Sequence, residues 1–133
     1  MNNKTLDELE TAPPSIVLTA ARDFAAALAE TPQFKSFEQA AERFRSDQTA
    51  QQAMSVYRDK QKELRPLLML NALSAEQQTE LESVKNAFLD QPIVQGYFKA
   101  QAELVTLCQA VGDTLSESIG LDYAAACGVS CCG

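Results

Sequence analysis

"PIVQGYFKAQAELVTLCQAVGDTLSESIG", residues 92–120, decides how this chain is read. Pro92 stands where a first-turn proline belongs and Gly120 stands where a helix stops, so the stretch predicts one long helix from Pro92 to about Ile119. Within it Tyr97, Gln101, Leu104, Cys108, Val111 and Leu115 recur at steps of three and four. That spacing makes a seam of roughly three heptads, polar only at Gln101, which packs on a neighbouring helix in the same chain or across a dimer. Cys108 lies in the seam, where a free cysteine behaves as a small hydrophobe.

Upstream, helical spacing continues almost without a break. Ser15 is the expected N-cap of a helix whose stripe is Ile16, Ala20, Phe24 and Leu28. Thr31-Pro32 reads as a cap and first turn, opening a helix with Phe34, Phe37, Ala41 and Phe44 on one side. Asp47 can cap a longer helix carrying Met54, Tyr57 and Leu64 inward, with Pro66 expected to kink or end it near Arg65. Ser74 with Gln77 has the capping-box pattern and is followed by Leu81, Val84 and Phe88. Phe24, Phe34, Phe37, Phe44 and Phe88 are all expected in the core. Nothing reads as a strand and no repeat is visible. The expectation is an all-α fold: about five amphipathic helices in an antiparallel bundle with a long C-terminal helix, then a flexible Cys/Gly tail. The boundaries follow as a disordered N-terminal segment 1–14 closed by Pro13-Pro14, a helical domain 15–120, and a tail 121–133.

At 133 residues and 46% apolar, the chain has the size and composition of one globular domain. Its net charge of −7 argues against direct nucleic-acid binding, which needs clustered cations to displace counterions from phosphates. The densest basic stretch, "RDKQKELR" at 58–65, is interrupted by Asp59 and Glu63 and reads as a solvated face with internal ion pairs. "MNNKTLDELETAPP" lacks the features of a signal peptide, and no apolar run approaches the roughly 20 residues of a membrane span. A cytoplasmic location without membrane contact is therefore expected. There, clustered cysteines more often serve metals or redox chemistry than disulfides.

The chain has no histidine, which excludes Ser-His-Asp and Cys-His arrangements and mixed Cys/His zinc sites. It has five glycines, three of them in or just before the tail, and none forms a phosphate loop. No active site is visible, and a non-enzymatic role is expected. The distinctive chemistry is "ACGVSCCG" at 126–133, with Cys127, Cys131 and Cys132. Thiolates suit an iron–sulfur cluster or, alternatively, zinc, and glycines let the backbone wrap the sulfurs. Three thiols are one short of the usual four. The fourth ligand would come from Cys108, a second chain or a partner.

"LAETPQFKSFEQAAERFRSDQTAQQAMSVYRDKQKEL" (28–64), "YFKAQAELVTLCQAVGDTL" (97–115) and the cysteine-bearing tail together resemble the YlbF/YmcA family of small helical bacterial regulators. Phe98, Lys99, Ala100, Glu103 and Leu104 match the start of that family's last helix, and the likeness extends over roughly residues 16–133. The resemblance implies a dimer-forming adaptor that pairs with itself or related helical subunits. It also implies assembly with a YaaT-like protein and RNase Y in mRNA processing. Carried over by position, the iron–sulfur ligands would be Cys127, Cys131 and Cys132, in a tail shorter and poorer in cysteine than the family's. Two other readings stand beside this one. In the first, the chain is the precursor of a modified peptide, with a helical leader and a Cys-rich core. In the second, it is a plain helical scaffold dimer with an inert tail.

Overall fold

A computed structural model of the chain describes residues 13–126. Cys127, Cys131, Cys132 and residues 1–12 of the expected N-terminal segment lie outside the described residues. The described part is all-α: α1 (Pro14–Ala29), α2 (Pro32–Ser46), α3 (Gln48–Met69), α4 (Ala75–Leu89), α5 (Pro92–Ile119) and the single turn α6 (Tyr123–Ala126).

Local hydrogen bonds set most of the helix starts. Thr31 Oγ1 accepts from Phe34 N at 3.2 Å, and Asp47 Oδ1 accepts from Ala50 N at 2.8 Å. Ser74 and Gln77 close the expected capping box, with Gln77 N donating to Ser74 Oγ at 3.1 Å and Ser74 N donating to Gln77 Oε1 at 3.0 Å. Pro92 sits in the first turn of α5. α1 departs from expectation: Pro13 occupies the cap position, and Ser15 lies inside the helix with its carbonyl accepting from Thr19 Oγ1. Pro66 does not end α3, which continues to Met69, where Asn71 at φ 51° closes the turn.

Two antiparallel pairs, α2 with α5 and α3 with α4, make the bundle. A chain of rings joins them. Phe37 and Phe44 of α2 lie with ring centroids 5.7 and 5.1 Å from Tyr97 of α5. Phe44 also lies 6.2 Å from Phe88 of α4, which in turn lies 6.4 Å from Tyr57 of α3. Ala50, Phe88 and Val94 form the buried centre beneath these rings. Lys60 bridges the second pair, 3.0 Å from Glu80 on α4 and 3.5 Å from Glu63 on its own helix. The hydrogen bond to Glu80 raises the Lys60 pKa above its ordinary value despite opposing desolvation.

The seam of α5 differs in phase from the expected one. The residues turned inward are Ile93, Val94, Tyr97, Ala100, Leu104, Leu107 and Val111, whereas Gln101, Cys108 and Leu115 are exposed. Ala100, 7% exposed, is the reason. Its small side chain lets α2 approach closely, which centres the contact one position away from Gln101. Phe24 is likewise not in the core, being 47% exposed.

Phe88 holds both helix pairs, so Phe88→Ala is expected to cost about 3–5 kcal/mol of unfolding free energy. Urea denaturation followed by circular dichroism reads that loss directly.

Candidate functional site

The C-terminal end of α5 leads into residues 120–126, the last described stretch before the cysteines. Gly120 takes φ 71° and ends the helix in the left-handed conformation, its N–H donating to Ser116 O at 2.9 Å. Glycine reaches that region without a Cβ penalty. The chain then doubles back. Tyr123 N donates to Ser116 Oγ at 3.2 Å, and Ala125 N donates to Asp122 Oδ1 at 3.2 Å, nucleating the turn α6. Ala126 therefore leads into the tail from beside the last turn of α5 rather than beyond its tip.

The described residues contain no cluster of three His, Cys, Asp or Glu side chains able to hold a metal. Cys108 is a free, exposed thiol on α5. The expectation that it packs in the core is therefore not met, because α2 covers the neighbouring face of the helix. Eight residues separate Cys108 from Ser116, about 12 Å along the helix. The seven residues 127–133 can span at most about 25 Å.

Two open grooves mark the described surface. One, of about 320 Å³ between α2 and α5, is flanked by Arg43, Lys99 and Glu103 over Ala40 and Gly96. The other, between α3 and α4, is mainly apolar at Ala53, Val56, Val84 and Ala87. The first also has Ser36 in its lining, alongside Lys99 and Glu103. The hydrogen bond that raises the Lys60 pKa also serves helix packing, since its acceptor Glu80 lies on α4. No described helix is long and apolar enough to cross a membrane.

The comparisons with known proteins bear on the helical part. A family model described as "Control of competence regulator ComK, YlbF/YmcA" matches residues 17–120. The chain is 29% identical over 103 residues to the UPF0342 protein STH1710 of Symbiobacterium thermophilum, an alignment covering 77% of this chain and 92% of that protein. The chain belongs to the YlbF/YmcA family. The matched region takes in Cys108 and stops at Gly120, whereas the resemblance read from sequence extended through the tail.

Gly120→Ala is expected to strain the turn that brings Tyr123 back to Ser116 of α5 while leaving the bundle core intact. Hydrogen exchange at the Tyr123 amide should quicken, with the thermal midpoint of the whole fold nearly unchanged.

Proposed function

We propose that this chain is a non-enzymatic regulatory adaptor whose helical platform binds partner proteins and whose terminal cysteines hold an iron–sulfur cluster. The family match across residues 17–120 carries the adaptor part, since the family's description is control of a competence regulator. Because that match covers the helices and not the tail, it favours a working platform over a leader discarded from a peptide. The net charge of −7 fits a protein that reaches RNA through a partner rather than by its own surface. By the same resemblance the partners are related helical subunits in homo- or heterodimers, a YaaT-like protein and RNase Y, in the cytoplasm.

The cluster part rests on the donor set. Cys127, Cys131 and Cys132 are thiols spaced by Gly128 and Ser130, a soft, wrappable set that fits iron–sulfur better than hard cations. They number three, so the set is completed by Cys108 or by another chain. When bound, the cluster supplies an oxygen-sensitive redox centre. The chain's own contribution is to supply the thiolates of Cys127, Cys131 and Cys132.

Protein purified without air is expected to contain iron and acid-labile sulfide in equal amounts, with a visible spectrum. All three signals should vanish in the Cys127→Ser, Cys131→Ser, Cys132→Ser variant. Zinc alone, or iron that survives the triple substitution, would contradict the assignment.

A further inference from the structure

The basic stretch 58–65 divides in the fold into two sets of charges. Lys60 turns toward α4 and pairs with Glu80 there and with Glu63 on its own helix. Arg58, Lys62 and Arg65 instead recur at steps of four and three on one exposed face of α3, and they make no ion pair among the described residues. Arg58 Nη2 reaches Met54 Sδ, at 3.6 Å. Asp59, the acid nearest the row, lies about a quarter turn away, and Glu76, Glu80 and Glu82 belong to α4. Like charges one turn apart weaken a helix, so the row costs stability that no ion pair among the described residues offsets. It stands in a chain with 11 cations against 18 acids. The next residue on the same face, Met69, is 79% exposed, with Leu70 and Leu68 beside it 76% and 43% exposed. Asn71, at φ 51°, turns the chain directly after them, so these side chains stand at the tip of the α3–α4 hairpin. From Glu63 to Glu76 no acid intervenes.

We propose that this face of α3 receives an acidic amphipathic helix of a partner protein, its carboxylates against Arg58, Lys62 and Arg65 and its apolar side chains over Met69 and Leu70. Charge complementarity selects the acids, and a stripe that joins cations to aliphatic side chains selects an amphipathic ligand. The three cations cover about 10 Å of helix axis, so acids at the same spacing on a helix laid along α3 meet all of them. A lipid surface fits less well. Touching the tip, it would engage Arg65 and meet Glu76 at the start of α4, and the net charge of −7 opposes an anionic leaflet. Single-stranded RNA stacks its bases on aromatic rings, and the row holds none. This deepens the adaptor reading, on which it rests, by assigning one docking face and the chemistry of what docks there. It involves neither iron nor the tail cysteines, so its test and the cluster measurement fail independently.

The probe is a synthetic three-heptad helix with leucine at a and d and glutamate at e and g, beside its counterpart with lysine for glutamate. Fluorescence anisotropy with the full chain is expected to show saturable binding of the glutamate helix that weakens as salt is raised, and no binding of the lysine helix. Arg58→Glu, Lys62→Glu and Arg65→Glu together should weaken binding about tenfold or more, and so should Met69→Ser with Leu70→Ser. All five side chains are exposed, so both variants should melt close to the parent by circular dichroism. Arg58→Lys with Arg65→Lys should keep the binding. No binding, equal binding of the lysine helix, or binding that survives the charge reversal would overturn the proposal. Two other occupants show themselves in the same series. Vesicles of phosphatidylcholine and phosphatidylglycerol that hold the parent but not the Met69→Ser, Leu70→Ser chain would put a lipid surface there. Self-association of the parent that the charge reversal abolishes would put a second copy there. Either result would overturn the assignment.

Discussion

The ring of Phe44 is the contact on which the rest of the bundle depends. It stacks on Tyr97 of α5 and tilts against Phe88 of α4, so one side chain on α2 joins the two helix pairs. Aromatic pairs at such separations add about 0.5–1.5 kcal/mol each beyond the area they bury. The Asp47 cap lies three residues on, and Gln51 Nε2 donates to the Phe44 carbonyl at 2.9 Å, so the α2–α3 corner is fixed where the ring needs it. Once Phe44 is seated, α5 has its direction, and the chain beyond it is carried outward on a rigid rod.

That rod is longer than the core can cover. Among the described residues the buried apolar set is Ala50, Leu64, Phe88, Val94 and Ala100, little for a chain whose composition is 46% apolar. Much of the remainder is exposed, on α1 at Ile16, Val17, Leu18 and Phe24, at Leu68, Met69 and Leu70 where α3 ends, and on α5 at Phe98, Leu115 and Ile119. Lys60, paired with Glu80 on α4, ties α3 to that helix.

Helix starts at Thr31, Asp47, Ser74 and Pro92, and the stop at Gly120, were legible because each is a local motif of a few residues. The phase of the α5 seam was not. That helix carries two overlapping heptad stripes, and the expected line through Tyr97, Gln101, Leu104 and Cys108 runs between them, taking residues from both. Which stripe faces α2 is settled by the close approach at Ala100, a tertiary fact with no local signature. Phe24 misled for a related reason: a periodic apolar stripe announces that a face will be covered, not by what. The family was legible from the helical stretches together with the cysteine-bearing tail, and the family match falls on residues 17–120. The role of Cys127, Cys131 and Cys132 rests on composition and resemblance, since they lie outside both the matched region and the described residues.

Native mass spectrometry of the unmodified chain, isolated without air, tests the account most directly because it weighs assembly and cluster together. The account predicts a species of twice the 14.5 kDa chain mass carrying whole increments of iron and sulfide. A single chain at its bare polypeptide mass would contradict it.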